Sequence, residues 1–160
     1  MIPSTPTVGA IVEDQTGTLW VGFHTGGLDR LERATGEITH YRHDPANPAT
    51  LGHDHVTALC LDHQGTLWIG TDAGLDRLDP ATGQFTHFVH DPADPRSLGP
   101  GAVKVIIEDR SHRLWVGTEE PGTLSRFDPA AGTFTVYRHD PAVPGTLPNT
   151  YGIRAILEDR

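Results

Sequence analysis

The chain repeats one pattern of apolar and polar positions three times. In the middle copy, an apolar run at 56–61 leads into a turn containing Asp and Gly, and a second apolar run at 67–70 ends in glycine. Two more segments follow, at 75–78 and 85–89, each again bounded by turn residues. Short segments separated by Asp, Gly and Pro are typical of β-strands joined by tight turns. The pattern therefore predicts four strands in each copy.

Fixed residues recur at the same place in each copy. Tryptophan stands at positions 20, 68 and 115, at spacings of 48 and 47 residues. The tripeptide His-Asp-Pro follows in each copy and begins at His43, His90 and His139. These markers divide the chain into a tail at 1–7, units at 8–55, 56–102 and 103–152, and the first strand of a fourth unit at 153–160.

Four strands in a repeat of this length, followed by one longer connection, form one blade of a β-propeller. The first strand of each unit is apolar on both sides, as at Leu59 and Cys60, which favours a strand packed between neighbouring blades. We name the strands of a unit A to D, from the inner to the outer. The predicted fold class is all-β, with about three four-stranded antiparallel blades. Since a closed propeller has about four to eight blades, we expect an incomplete propeller that is a segment of a longer array.

Composition narrows the classes of partner. The formal net charge of −9 disfavours binding to a phosphate backbone, so nucleic acid is not expected as a partner. No apolar run is long enough for a membrane helix, and the N-terminus shows no signal peptide, so we expect no membrane contact by this segment. The single cysteine, Cys60, excludes an intrachain disulfide and a cysteine-based zinc cluster.

The motif shared by the copies carries a family resemblance. Residues 8–31 contain Val-x-x-Ile-x-Glu-Asp-x-x-Gly-x-Leu-Trp-Val-Gly and then Gly-Gly-Leu-x-Arg-Leu, and Thr35-Gly36 and His43-Asp44-Pro45 follow. This motif resembles the two-component regulator propeller repeat, and its three in-phase copies cover nearly the whole chain. The resemblance implies seven-bladed propellers that form the extracytoplasmic sensor part of bacterial hybrid histidine kinases. Several members of that family respond to oligosaccharides.

The resemblance also implies a function for this chain. We expect part of a periplasmic or extracytoplasmic propeller that binds a small solute, with a saccharide as one class, or transmits its binding to a kinase outside these residues. Its other partners would be further blades of the same polypeptide or a second copy of the chain. The sequence contains no kinase, no phosphate loop and no nucleophile motif, so we expect no enzymatic activity in this segment.

Residues that occur in every copy are explained by the blade itself. The tryptophans are expected to pack between blades and the aspartates to cap the turn after strand A. The histidines of His-Asp-Pro are expected to bond within their loops. The structural repeat residues are Trp20, Trp68 and Trp115 with Asp14, Asp62 and Asp109.

Candidate binding residues are those that depart from the repeat. Strand A runs from the D–A loop to the A–B turn, so the D–A loops and the B–C turns share one face, which has the longer and more variable loops. The second residue of strand A also varies and lies near the mouth of the central channel. Aromatic rings, carboxylates, amides and cations together suit a sugar. The candidates are Phe23, His24, His53, His55, Lys104, Glu119, Glu120, Asn149, Tyr151 and Arg154.

Two other functions are open on the sequence alone. One is a protein-interaction scaffold without a small ligand. The other is a propeller lyase similar to the streptogramin-inactivating enzymes, which would need a metal and a histidine base. His53 and His55 form the densest histidine cluster, but their spacing supplies no third or fourth ligand. The adjacent Glu119 and Glu120 are not placed as a pair of glycosidase carboxylates, and we expect neither a cofactor nor a metal.

Overall fold

The computed structural model describes residues 7–79, 82–148 and 151–159. These residues form twelve β-strands and no helix. Blade 1 contains β1 (Val8–Glu13), β2 (Leu19–Phe23), β3 (Leu28–Glu32) and β4 (Glu37–Tyr41). Blade 2 contains β5 (Val56–Leu61), β6 (Leu67–Thr71), β7 (Gly74–Leu78) and β8 (Phe85–Phe88). Blade 3 contains β9 (Val103–Glu108), β10 (Leu114–Thr118), β11 (Leu124–Asp128) and β12 (Thr133–Tyr137).

In each blade the four strands pair in chain order to give one antiparallel sheet. The three inner strands are neighbours, since β5 contacts both β1 and β9. The sheets do not close into a ring and match the blades of a partial propeller. The predicted all-β fold with three four-stranded blades is therefore confirmed.

A glycine near the end of the second strand lets the next blade approach closely. A Cβ at Gly70 would lie 2.6 Å from Cγ1 of Val103, and one at Gly117 would lie 2.8 Å from Cγ2 of Ile153. Separations this short are far below van der Waals contact, so any larger residue would push neighbouring blades apart. The glycine that follows Leu-Trp-x in each copy is therefore required by the packing between blades.

Two apolar clusters fill the two seams between blades. Burial of apolar side chains in these seams removes them from water, which is the main favourable term for holding the blades together. The seam between blades 1 and 2 buries Trp20, Leu28, Leu51, Val56, Leu67, Ile69, Leu78 and Phe85. The seam between blades 2 and 3 buries Ala58, Trp68, Leu75, Leu98, Val103, Ile106, Leu114, Val116, Phe127 and Phe134.

The predicted first strand of a fourth blade differs from the structure, because residues 153–159 form no strand. The segment is attached to blade 3 by a bridge between Glu119 and Gly152 and by a hydrogen bond from the Ile153 N–H to the Thr118 carbonyl, 2.9 Å long. Each inner strand of blades 1 to 3 pairs with the second strand of its own blade. Among the described residues, no strand pairs with the segment at 153–159 beyond the bridge at Gly152.

Candidate functional site

The second residue of strand A lies in a β-bulge in each of the three blades. In blade 3 the pairing with the neighbouring strand skips Lys104 between Val103 and Val105. The same irregularity skips Gly9 in blade 1 and Thr57 in blade 2. A bulge frees a residue from the regular alternation of the strand and redirects its side chain. The residue that varies between the copies is thus the one at which the regular pairing of strand A is interrupted.

Side chains from the bulge of blade 3, the three B–C turns, the D–A loop between blades 1 and 2 and the segment at 153–159 meet in one continuous row. The row crosses all three blades, and each member touches the next by a ring contact, a hydrogen bond or an ion pair. We call this set the polar row: His24, His55, Asp72, Lys104, Glu119 and Arg154.

Two histidines form the end of the polar row at blade 1. The ring centroids of His24 and His55 lie 4.9 Å apart, with the rings edge to face at 73°. Nδ1 of His55 lies 2.5 Å from Oδ2 of Asp72. A Cβ at Gly9 would lie 2.7 Å from a carbon of the His24 ring, so the glycine in the first bulge makes room for that ring.

Alternating charges form the other end of the polar row. Nζ of Lys104 lies 3.6 Å from Oδ1 of Asp72 in blade 2 and 3.1 Å from Oε2 of Glu119 in its own blade. Arg154 donates a hydrogen bond to Oε1 of Glu119, 2.8 Å long. The lysine side chain is 19% exposed and the arginine 75% exposed, so the first ion pair is much better shielded from solvent. Lys104 therefore links blades 2 and 3 through both carboxylates.

The electrostatics of the polar row keep the Glu119 carboxyl ionised. The hydrogen bond and the charge of Lys104 lower the pKa of the Glu119 carboxyl, and Arg154 adds to the effect. Ionised carboxylates accept hydrogen bonds and the two cations donate them, so the row can bind hydroxyl groups. The cysteine of the chain is no nucleophile at neutral pH, because burial raises the pKa of the Cys60 thiol to about 11.

The structure brings together half of the candidate binding residues predicted from the sequence. His24, His55, Lys104, Glu119 and Arg154 are all members of the polar row. His53 is exposed and stacks on His43 at a centroid distance of 6.4 Å, and Tyr151 is 85% exposed. Phe23 is half-buried at the end of β2, and Glu120 is exposed next to the row. Asn149 lies outside the described residues.

Sequence reasoning missed Asp72, the central member of the polar row. In the sequence it stands only as one residue of the turn after strand B of blade 2. Its position was the available signal, because His24, Asp72 and Glu119 each directly follow strand B of their blade. Alignment of the three B–C turns on that first residue would have added it to the candidates.

The aspartate after strand A anchors both a turn and the tryptophan of its blade. Oδ1 of Asp62 accepts hydrogen bonds from the backbone N–H groups of Gln64 and Thr66, at 3.0 and 2.8 Å. Its Oδ2 accepts the indole N–H of Trp68 at 2.9 Å. The same indole–carboxylate distance is 3.4 Å in blade 1 and 2.7 Å in blade 3. The predicted turn cap is confirmed, and the bond to the indole is an additional finding.

The histidines of His-Asp-Pro bond within their loops, as predicted. In each case Nδ1 lies next to the carbonyl oxygen of the residue eight positions later, which can only accept. The distances are 2.8, 2.9 and 2.8 Å for His43, His90 and His139. These histidines hold the long D–A connections together and are structural.

Solved structures with a similar arrangement are propellers. The extracellular domain assigned to the hybrid two component system BT4673 from B. thetaiotaomicron is 21% identical, with a TM-score of 0.68 over 92% of this chain and 18% of that chain. The corresponding domain of BT3049 is 21% identical, with a TM-score of 0.54 over 84% of this chain and 25% of that chain. The chain thus spans about a quarter or less of these domains.

An enzyme shares the fold as well. A catalytically inactive virginiamycin B lyase from Staphylococcus aureus, solved with quinupristin, is 18% identical, with a TM-score of 0.63 over 94% of this chain and 45% of that chain. Identities this low establish only the propeller fold. No curated protein matches the chain in sequence. None of the described residues forms a helix long and apolar enough to cross a membrane.

Two segments of the chain match the sequence profile named Two component regulator propeller, at residues 50–73 and 97–120. Each match begins in a D–A loop and ends just after the second strand of the next blade. The matched residues include the inner strand, the aspartate turn and the Leu-Trp-x-Gly strand that the structure explains by packing between blades. These two segments are therefore similar to the two component regulator propeller repeat.

Proposed function

We propose that the chain is part of a ligand-sensing propeller and that the polar row contacts a small, hydroxyl-rich solute. The main support is that the row is built from positions at which the blades differ. The bulge carries Gly9, Thr57 or Lys104 in the three blades, so its side chain is not one that the repeat keeps constant. Side chains that vary on one face of a repeated scaffold are where binding residues usually lie.

The charges of the polar row favour a neutral ligand. Asp72 and Glu119 already face Lys104, so a charged solute would have to break ion pairs to bind. A polyol can instead donate to the second lone pairs of the carboxylates and accept from the ammonium and guanidinium groups. An oligosaccharide offers many such hydroxyl groups along the polar row, which crosses all three blades. The proposed class of ligand is therefore a neutral saccharide.

Calorimetric titration with a panel of neutral and acidic oligosaccharides tests this proposal. A neutral sugar should give a saturable heat with the unmodified chain. Glu119→Gln should weaken that binding about tenfold or more, since a hydrogen bond to a charged group contributes about 1.5–3 kcal/mol. Lys104→Met should weaken sugar binding to a similar extent, because it also removes the ion pair that positions the Glu119 carboxylate.

An ion pair on the opposite face supplies the control. Arg33 and Glu13 are 2.9 Å apart at the A–B and C–D turns, away from the polar row. Arg33→Met should leave sugar binding unchanged. The proposal fails if no neutral sugar binds, or if Glu119→Gln and Arg33→Met have the same effect. Binding of acidic sugars alone would also contradict it.

We further propose that the outer side of blade 3 packs against another blade of the same polypeptide. An open groove of about 620 Å³ lies there, lined by apolar side chains that include Trp115, Leu124 and Tyr137. At the seam before it, the equivalent tryptophan contacts a phenylalanine of the following blade, with 5.1 Å between the ring centroids. In a longer version of the polypeptide with one more blade, the fluorescence of Trp115 should be quenched less by acrylamide. Unchanged quenching would contradict the proposal.

The proposed sensor would act outside the cytoplasm and transmit binding to a kinase beyond these residues. The support is the likeness to extracellular domains of hybrid two component systems and the match of two segments to the two component regulator propeller model. The test is autophosphorylation of the full-length protein with and without the sugar found by titration. A kinase rate that is the same with every bound sugar would exclude the sensor and favour a scaffold that binds protein partners.

A further inference from the structure

A second cluster of ligand-bearing side chains lies at the seam between blades 2 and 3, on the face opposite the polar row. His63 and His112 belong to the A–B turns of blades 2 and 3, and Glu108 is the last residue of β9. One ligand atom from each residue lies within 4.8 Å of the others. We propose that these three residues bind a divalent transition-metal ion, with Zn²⁺ as the best match, and so link the two blades.

The geometry of the cluster is close to that of a three-residue zinc site. Nδ1 of His63 lies 2.5 Å from Oε1 of Glu108, and Nδ1 of His112 lies 3.7 Å from the same oxygen. Ligand atoms of a tetrahedral zinc ion are about 3.3 Å apart, so small rotations of the two rings suffice. Two imidazoles and a carboxylate, with a solvent molecule in the fourth position, are a recognised zinc ligand set. Imidazole nitrogen also selects transition metals over Mg²⁺ and Ca²⁺.

His112 occupies a position that the other blades give to glycine. Its φ is 58°, and the residues at the same place in blades 1 and 2 are Gly17 and Gly65, with φ of 86° and 81°. This left-handed conformation is unfavourable for an L side chain and natural for glycine. Blade 3 nevertheless carries a histidine there, and the ring centroids of His63 and His112 are 4.0 Å apart. The turn thus departs from the repeat in a way that places a second imidazole on the first.

Glu108 has a structural role that also prepares it as a ligand. The backbone N–H of His63 donates to its Oε2 at 2.7 Å. The same bond recurs at the next seam, where the backbone N–H of Arg110 donates to Glu158 at 3.0 Å. This contact belongs to the repeat, and it fixes the carboxylate between the blades before a metal arrives. The two histidines do not belong to the repeat, because blade 1 has glutamine and glycine in their places.

The metal cluster is independent of the polar row and of the sugar proposal. Its side chains are 42%, 16% and 59% exposed for His63, Glu108 and His112, so an ion can enter from solvent. In the sequence, His53 and His55 form the densest histidine cluster. In the structure His55 bonds to Asp72 instead, and the described residues give no metal-binding group around that pair.

Zinc titration of the chelator-treated chain tests the proposal. The unmodified chain should bind Zn²⁺ in a saturable step, and its thermal midpoint should rise by about 5 °C at a hundredfold excess over the dissociation constant. His112→Gly should weaken zinc binding about tenfold or more and abolish the thermal shift. This variant should fold, because glycine is the residue at the same position in blades 1 and 2. His63→Asn should lose zinc binding to a similar extent.

His40→Asn is the matched control. His40 is also a half-exposed histidine next to a carboxylate, with Nδ1 2.8 Å from Oδ1 of Asp29, but it lies on the outer strand of blade 1. Its variant should bind zinc like the unmodified chain, and Co²⁺ bound in place of Zn²⁺ should show ligand-field bands that only the His63 and His112 variants lose. Equal zinc binding by His112→Gly and the unmodified chain would overturn the proposal. So would the absence of a saturable step, or an equal loss in the control.

Discussion

The covered seam between blades 2 and 3 and the open outer side of blade 3 carry the same repeat residues in different surroundings. Trp68 is 4% exposed in the covered seam and contacts Phe88 and Phe127, with centroid distances of 5.8 and 5.1 Å. Trp115 has the same place in blade 3, but it is only half-buried and its ring contact is with Tyr137 of its own blade, at 5.9 Å. A repeat residue thus acquires its packing from the neighbouring blade.

The comparison separates two kinds of interaction within one repeat. The indole N–H donates to the turn aspartate on both sides, at 2.9 Å for Trp68 and 2.7 Å for Trp115. This hydrogen bond is local and needs no neighbour. The aromatic contact with the next blade exists only where that blade is present. Stability measurements can therefore distinguish what a blade supplies by itself from what a seam supplies.

The largest expected effect is the difference between two matched tryptophan variants. Trp68→Ala should lower the free energy of unfolding by about 3–5 kcal/mol, because it empties a space in the middle of a covered seam. Trp115→Ala removes the same side chain and the same indole bond but much less buried area, so it should cost less than half as much. Urea unfolding of the two variants measures the difference. Equal losses would mean that the seam contributes little beyond the blade.

The turn aspartate should have a smaller effect that does not depend on the seam. Burial alone would raise the pKa of the Asp109 carboxyl, but hydrogen bonds from Trp115, Arg113 and Ser111 lower it to about 2. Since this pKa is below the ordinary value of 3.8, the stabilisation is complete above about pH 4 and is lost as the pH falls towards 2. Asp109→Asn should cost about 1–2 kcal/mol at pH 7.

Acid unfolding curves check this prediction. The Asp109→Asn chain should lose less stability than the unmodified chain between pH 4 and pH 2, so the two curves should converge. Asp140→Asn is the control, since Asp140 is exposed and its Oδ1 accepts the backbone N–H of Ala142 at 2.9 Å. Parallel curves for the Asp109 variant and the unmodified chain would contradict the role of the carboxylate.

A third prediction concerns a pair in which blades 2 and 3 differ. Asp76 and His87 face each other across β7 and β8, with 2.7 Å between Oδ1 and Nδ1, and blade 3 has Ser125 and Val136 in their places. Burial lowers the pKa of His87, but the bond and charge of Asp76 outweigh this and raise it above 6.5. Burial also raises the pKa of the Asp76 carboxyl. Stability therefore also falls with rising pH as Asp76 loses its proton, but at lower pH than for His87.

The sign of the pH dependence follows from these raised pKa values. The stabilisation by protonated His87 is complete below pH 6.5 and is lost as the pH rises through the higher pKa of the folded state. The unmodified chain should therefore lose stability as the pH rises above 6.5. The double variant Asp76→Ser/His87→Val copies blade 3 and should show no such loss in the same urea titrations. A pH dependence that persists in the double variant would assign it to other groups.

The smallest expected effect compares two A–B turns in the absence of metal. His112→Gly should stabilise the metal-free chain by a few tenths to about 1 kcal/mol, because glycine adopts the positive φ without strain. Gly65→Ala in blade 2 should destabilise it by about 1 kcal/mol for the same reason, although no atom lies within 4 Å of the added Cβ. A loss of stability in His112→Gly without metal would show that the imidazole already stabilises the apo seam.

The sequence predicted the fold because the repeat makes local rules visible three times. The Asp-to-Gly turn, the Leu-Trp-x-Gly strand and the His-Asp-Pro loop each recur with the same hydrogen bonds. The predicted strand at 153–160 does not form in the structure. A strand requires a pairing partner as well as a suitable local sequence. Local pattern therefore predicted turns and strands well, and it could not predict pairing, which depends on residues distant in the sequence.

The candidate site was predicted only in part. The subtraction of repeat residues found five of the six members of the polar row, because those positions vary on one face. It missed Asp72, whose role depends on Lys104 of the next blade reaching it at 3.6 Å. It also missed His112, although a histidine in place of a turn glycine was visible in the sequence. In both cases the partner comes from a residue about 30 to 50 positions away.

The sequence by itself determined the blade: its four strands, its turns and its structural Trp and Asp residues. These depend on neighbours within a few positions, which the repeat preserves. The tertiary structure alone decided which variable side chains meet at the seams, as in Asp72 with Lys104 and His63 with His112. The physical reason is that the seams juxtapose residues of successive blades, so contact there depends on blade packing and on the β-bulge at the start of each inner strand.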